Sequence, residues 1–118
     1  MMKIRAAILL FLLSGLAAAG QNGPNPQEAS LFKAAGGGDV AQVQQLLAQG
    51  VNVDARDANG DTALLWAADK GQAAAAQLLI ADGANINAKG DRDLTALILA
   101  QDEGHPAVTK LLKDHGAK

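Results

Sequence analysis

The chain has 118 residues, of which 49% are hydrophobic and 19% charged, and its formal net charge is −2. This length accommodates one small domain. Cysteine is absent, which excludes disulfides, zinc sites built on thiolates and thiol nucleophiles. The acidic balance argues against nucleic acid or an anionic membrane surface as a partner, because binding to either depends on basic clusters.

The first 19 residues have the three-part pattern of a secretory signal peptide. Lys3 and Arg5 make a positively charged start, an apolar segment covers residues 6–16, and three alanines follow at 17–19. The segment is shorter than the roughly 20 residues that span a bilayer, so we expect cleavage after Ala19, with an uncleaved anchor as the alternative. Loss of the two basic residues leaves 8 basic against 12 acidic residues, a net charge of −4.

Residues 20–27 hold two prolines and a glycine, which predicts a flexible linker. The folded part then begins with a short helix over residues 29–35. The glycines at 36–38 predict a turn, and Asp39 is placed to cap a second helix over residues 40–49.

Residues 33 positions apart are alike from this first helix almost to the end of the chain. The matching pairs include Ala34 and Ala67, Gly38 and Gly71, Leu46 and Leu79, Gly50 and Gly83, Thr62 and Thr95, Leu64 and Leu97, Gly71 and Gly104, Leu79 and Leu112, and Gly83 and Gly116. A constant offset without a slip indicates an internal structural repeat.

The central copy covers residues 57–89. The sequence at 57–60 is typical of a tight turn, Thr62 is placed to cap a helix over residues 63–69, and a second helix follows over residues 73–82. One such helix pair cannot bury its own apolar face, so it must stack on a neighbour.

The third copy differs from the second at its turn and at its outer face. Asp93 occupies the position of the turn glycine, and its second helix begins near Pro106, which the first turn of a helix allows. Lys113 replaces Ile80. A charge at that position suits the solvent-facing side of a terminal repeat, so we expect the array to close here.

The helix sequences TALLWA at 62–67 and TALILA at 95–100, together with the period, resemble the ankyrin repeat, whose signature is T-P-L-H-x-A. The proline and the histidine of that signature are missing from both copies. The resemblance implies an all-α solenoid of about three helix-turn-helix repeats with short hairpin-like turns. Its domain covers residues 28–118, with repeats at 28–56, 57–89 and 90–118.

The residues give little support for chemistry. A nucleophile needs a neighbouring base, and neither His105 nor His115 has a spacing from Ser30 that a helix would bring near. The histidines and neighbouring carboxylates could form a metal site, but His105 matches the Gly-His that opens the second helix in the ankyrin family. We therefore expect no catalytic residue, no metal and no cofactor.

In ankyrin arrays the turn tips and the first helices form a concave groove that binds proteins. Carried over by position, the groove residues are Arg56, Ala58, Asn59, Asp61, Trp66, Asp69, Lys70, Lys89, Asp91, Arg92, Leu94, Asp102 and Glu103. Trp66 is the only tryptophan, and tryptophan is enriched in binding hot spots. It either faces the groove as an anchor for a partner or packs on the next repeat near Leu99.

These observations lead to the hypothesis of a non-catalytic, monomeric protein-binding module. The signal peptide and the truncated, alanine-rich repeats indicate a bacterial protein exported to the periplasm, with secretion as the second choice. The alternative is an immunity or inhibitor protein that neutralises a periplasmic enzyme or toxin. A weaker rival is a hydrolase or a metal-binding stress protein.

Overall fold

A computed structural model describes residues 25–117 of the chain. Six α-helices follow one another in three antiparallel pairs, and the turn before the fifth contains a single 3₁₀ turn at Asp91–Asp93. The helices are α1 Pro26–Gly37, α2 Val40–Ala48, α3 Ala63–Lys70, α4 Ala73–Ala81, α5 Ala96–Asp102 and α6 Pro106–Asp114. The predicted all-α solenoid of three helix pairs is confirmed.

Helix α1 begins earlier and ends later than the sequence predicted. Asn25 caps it by accepting a hydrogen bond from the N–H of Gln27, and Pro26 takes the first helical position. Proline is favoured there because its missing N–H would have no helical partner. The prediction that the linker extends through residue 27 is therefore wrong, since residues 26 and 27 are helical.

The glycines at 36–38 do not form the predicted turn either. Gly36 and Gly37 complete the last turn of α1, and only Gly38 leaves the helix, with a φ of 74°. Asp39 then caps α2 through the N–H of Gln42, as predicted. Gly36 thus belongs to a helix surface that the side chain of Trp66 approaches closely.

The second and third repeats begin their first helices in the same way. Thr62 accepts a hydrogen bond from the N–H of Leu65, and Thr95 accepts one from the N–H of Ile98. Both threonines are buried, so their hydroxyls supply an acceptor where water cannot reach. The predicted caps of α3 and α5 are confirmed.

The first helices α1, α3 and α5 pack side by side in one layer, and the second helices α2, α4 and α6 form the other. Small residues let the layers approach, and the large buried side chains fill the space between them. The core includes Leu31, Phe32, Val43, Leu46, Leu64, Leu65, Leu79, Leu97, Val108 and Leu112, with alanines at 67, 68, 75, 76 and 100. Lys113 is exposed, as expected for the outer face of the last helix.

The predicted signal peptide at 1–19 and most of the predicted linker lie outside the described residues. Among residues 25–117, no helix is both long enough and apolar enough to cross a bilayer. We refer below to the contact of α1 and α2 with α3 and α4 as the first interface, and to that of α3 and α4 with α5 and α6 as the second interface.

Candidate binding surface

The turn that leads into α3 is organised by the carboxylate of Asp57. Its Oδ1 accepts hydrogen bonds from the N–H groups of Asn59 and Asp61, each at 2.9 Å. Its Oδ2 accepts a third, from Nε1 of Trp66 at 2.8 Å. One side chain therefore holds both the turn and the indole, and the position of the tryptophan follows from the fold of the turn.

Trp66 is half-buried and makes contacts on both sides of the central repeat. On one side it lies against α1, where a Cβ added to Gly36 would lie 3.1 Å from its Cε3. On the other side it lines a depression that Leu99 also lines. Trp66 therefore packs against the preceding repeat, whereas the sequence had placed its packing on the next repeat, near Leu99; toward that next repeat it lines the depression.

This depression, which we call the Trp66 pocket, lies between the second and third repeats and has a volume of about 290 Å³. It is lined by Asn59, Asp61, Leu65, Trp66, Asp69, Lys70, Asp91, Arg92, Leu94 and Leu99. Its apolar part consists of the indole and three leucines, and charged side chains surround them. A pocket of this kind can take one large side chain rather than a whole small molecule.

Hydrogen bonds between the repeats fix the walls of the pocket. Asp61 accepts a hydrogen bond from the N–H of Asp91 at 2.9 Å. Gly90 lies so close to Asp61 and Leu65 that a Cβ would not fit there. The third turn is therefore held against the second, and the pocket is present before any ligand binds.

His105, which lies at the start of α6, makes a side-chain hydrogen bond across the second interface. Its Nε2 is 3.0 Å from the carbonyl oxygen of Asp69 at the end of α3. A carbonyl oxygen only accepts hydrogen bonds, so Nε2 carries the hydrogen. At the first interface Gln72 makes the equivalent bond, from Nε2 to the carbonyl oxygen of Gly36 at 3.2 Å.

Eight of the groove residues that the sequence predicted lie together around the Trp66 pocket. They are Asn59, Asp61, Trp66, Asp69, Lys70, Asp91, Arg92 and Leu94. The other predicted residues, Arg56, Ala58, Lys89, Asp102 and Glu103, are exposed and do not line it.

Arg56 holds two turns together. Its guanidinium donates hydrogen bonds to the carbonyl oxygens of Gly60, at 2.6 Å, and Lys89, at 2.7 Å. These bonds occupy one of the two terminal nitrogens, and they tie the second turn to the third. The side chain is therefore a structural link in this surface.

Two lining residues and one supporting residue were not predicted as part of the surface. Leu65 directly precedes Trp66 in α3, and Leu99 occupies in α5 the position equivalent to Trp66. Asp57 was assigned only to the turn. The sequence did contain a signal for Asp57. This carboxylate begins the turn that precedes α3, nine residues before the single tryptophan, which lies on that helix.

In the described part of the chain, the serine and the two histidines that were considered for chemistry contact backbone carbonyl oxygens. Among residues 25–117, no three histidine or acidic side chains are grouped as metal ligands. Ser30 donates to the carbonyl oxygen of Pro26 at 3.1 Å, and Nδ1 of His115 lies 2.9 Å from the carbonyl oxygen of Leu111. These side chains are used in helix contacts.

Comparison with known proteins places these features in context. A family model described as three copies of ankyrin repeats matches residues 5–90 and 31–118. Among solved structures, the crystal structure of the human ASB11 ankyrin repeat domain is similar, with 33% identity and a TM-score of 0.73. The match covers 80% of this chain and 41% of that domain. No curated protein matches the chain.

Proposed function

Since the chain belongs to the ankyrin-repeat family, whose repeats mediate interactions between proteins, we propose that it is a non-catalytic binding module whose partner inserts a side chain into the Trp66 pocket. The observation that carries this proposal is the pocket itself. It combines a half-buried tryptophan with three leucines at a surface held open by bonds between turns.

The composition of the pocket matches the energetics of protein interfaces. Tryptophan and arginine dominate binding hot spots, which lie in small desolvated pockets surrounded by polar groups. Trp66 and Leu94 supply apolar area that is only partly buried in the free protein. Covering it gives a partner hydrophobic binding energy without a rearrangement of the module.

We also propose that the module acts in the bacterial periplasm as a monomer. This part rests on the signal-like sequence at 1–19. Fractionation of cells that express the full chain, followed by N-terminal sequencing, tests it: we expect periplasmic protein that begins at Gly20. Cytoplasmic protein that begins at Met1 would contradict it.

Affinity capture tests the binding function. The full chain, tagged at its C-terminus, is expressed with its own N-terminal segment and used to retain partners from the periplasmic fraction. Trp66→Ala should reduce the retained partner about tenfold or more. Ile98→Ala is the matched control, because Ile98 is a large apolar side chain that is 42% exposed and does not line the pocket.

Because Trp66 also contacts α1, its loss could weaken the fold itself. Leu94→Lys is therefore measured in parallel, since it places a positive charge in the pocket at a side chain that is already partly exposed. Helical circular dichroism monitors folding in each variant. Equal retention of the same partner by the wild type, Trp66→Ala and Leu94→Lys would contradict the proposal.

A further inference from the structure

We propose that the side chain that enters the Trp66 pocket is basic, a lysine or an arginine, and that it belongs to a positively charged segment of the partner. This inference rests on the proposed function and specifies the chemistry of its ligand. Four features of the surface carry it: the state of the indole, the leucines of the pocket, the carboxylates around the pocket and the distribution of charge over the whole domain.

The indole of Trp66 offers its ring and not its N–H to a ligand. Nε1 already donates to Oδ2 of Asp57 at 2.8 Å, so it is not free to donate to a partner's carbonyl or carboxylate. What remains toward the pocket is aromatic surface, which attracts a cation within about 6 Å of the ring centre. Donation to a carboxylate also makes the ring more electron-rich, which strengthens that attraction.

The leucines of the pocket suit the stem of a long basic side chain. Leu65, Leu94 and Leu99 supply apolar contact, and lysine and arginine have three or four methylene groups that pack on such surfaces while the charged end stays near water. A pocket of about 290 Å³ accommodates a stem of this length. A short acidic side chain would leave the leucines uncovered.

Two carboxylates lie near the place that the charged end of the partner's side chain would occupy. Asp69 and Asp91 both line the pocket. Within residues 25–117, Asp91 has no hydrogen bond or ion pair to its side-chain oxygens. Within the described residues Asp69 pairs only with its neighbour Lys70, at 3.8 Å and with 39% and 55% of the two side chains exposed, a contact that contributes little. Both carboxylates are therefore available to a cation.

The basic residues of the pocket do not reverse this preference. Lys70 has 55% of its side chain exposed, and Arg92 is exposed on the turn. Long exposed side chains can move into solvent when a cation arrives, at little cost. The three aspartates of the lining outnumber these two cations.

Charge is distributed unevenly over the described domain. The turns and first helices carry nine acidic residues: Glu28, Asp54, Asp57, Asp61, Asp69, Asp91, Asp93, Asp102 and Glu103. They carry five basic ones: Lys33, Arg56, Lys70, Lys89 and Arg92. The net charge of this part is −4, and that of the second helices with their flanking turns is −1, from Asp39, Asp82 and Asp114 against Lys110 and Lys113.

The groove side therefore has a negative field that favours a basic segment and repels an acidic one. Complementary charge of this kind accelerates association and selects among partners more than it adds to affinity. The pocket makes the direct contact with the partner's side chain, and the charge of the surrounding surface selects among partners. Both favour the same sign of ligand.

Intrinsic fluorescence gives a direct test, because Trp66 is the only tryptophan and the chain has no tyrosine. The full chain is titrated with hexalysine, hexaarginine and hexaglutamate while the indole emission is recorded. We expect a saturable change with the two basic peptides, weakened about tenfold between about 50 mM and 500 mM salt. A saturable change with hexaglutamate of equal or greater affinity would overturn the proposal.

Paired variants separate the pocket from net charge. Asp69→Asn with Asp91→Asn should weaken the binding of hexalysine about tenfold. Asp82→Asn with Asp114→Asn makes the same change in net charge at the ends of α4 and α6, away from the pocket, and should leave it within about twofold of the wild type. Equal weakening by the two pairs would overturn the assignment to the pocket.

The outcomes also separate this inference from the proposed function. A partner that is captured in a Trp66-dependent way but bound through an acidic or uncharged segment would overturn the basic ligand and leave the binding module intact. A response to hexalysine without any Trp66-dependent partner would support the pocket's chemistry and contradict the proposed function.

Discussion

The two interfaces between repeats use the same helix packing but differ at the turns. At the first interface α1 and α2 meet α3 and α4 through buried apolar side chains, and Gly36 allows Trp66 to approach the helix closely. The side-chain hydrogen bond that crosses it runs from Gln72 to the carbonyl oxygen of Gly36. Among residues 25–117, which leave out the segment that leads into α1, this interface consists mainly of packing.

The second interface adds a row of polar bonds between two turns. Arg56 donates to the carbonyl oxygen of Lys89, the N–H of Asp91 donates to Asp61, and the N–H of Asn85 donates to Asp54 at 2.8 Å. The Trp66 pocket lies where these two turns are held together beyond the helices, so the proposed binding surface belongs to the second interface.

The largest loss of stability should come from a substitution in α4, a helix that takes part in both interfaces. Leu79 is fully buried on α4, which packs between α2 and α6. Leu79→Ala leaves a cavity and should cost about 2 to 5 kcal/mol of unfolding free energy. Urea denaturation measures it. A loss below about 1 kcal/mol would show that the two interfaces do not depend on this helix.

A smaller loss of stability should come from a substitution that affects the second interface alone. Gly71 has a φ of 74°, and a Cβ there would lie 2.5 Å from Nδ1 of His105. Gly71→Ala should cost about 2 to 4 kcal/mol, the sum of backbone strain and a clash with the ring.

Gly104 is the matched control for that variant, because it is equivalent by position. Its φ is 75° and nothing lies within 4 Å of an added Cβ. Gly104→Ala should therefore cost only the backbone strain, about 1 to 2 kcal/mol. Thermal melts of the two variants compare them, and equal losses would mean that His105 does not restrict the second interface.

Replacing the equivalent glycine of the first interface, Gly38, by alanine should cost a free energy between those of Gly71→Ala and Gly104→Ala. An added Cβ on Gly38 would meet the end of the Gln72 side chain at 2.5 Å. That flexible amide can turn away, at the loss of its bond to Gly36, which costs about 1 kcal/mol beyond the backbone strain. A larger loss of stability in Gly38→Ala than in Gly71→Ala would show that the first interface restricts an added Cβ more than the second, contrary to this prediction.

The smallest effect should come from the polar link between the turns. Arg56→Ala removes two exposed hydrogen bonds and should cost about 1 kcal/mol. Lys110→Ala is the control, because Lys110 is exposed on α6 and should change stability by less than about 0.5 kcal/mol. Indistinguishable urea midpoints for the two variants would show that the turns hold together without Arg56.

Local features were predictable from the sequence, whereas features that join distant residues were not. The caps Thr62 and Thr95 were predicted because a cap depends on residues within one turn. The helical state of Gly36 was missed because three consecutive glycines predict a turn, and the close approach of Trp66, 30 positions later, is a contact between distant residues. The repeat placed most pocket residues on one surface, but the bonds of Arg56 and of Asp57 to Trp66 required the three-dimensional arrangement.

The central claim is that a partner covers the second interface at its turns. Amide hydrogen exchange of the full chain, with and without saturating partner, measures this directly. We predict added protection within residues 57–71 and 89–99, and no change in α2 and α4, which lie in the other layer. Protection confined to α2 and α4, with none at residues 57–71, would contradict the claim.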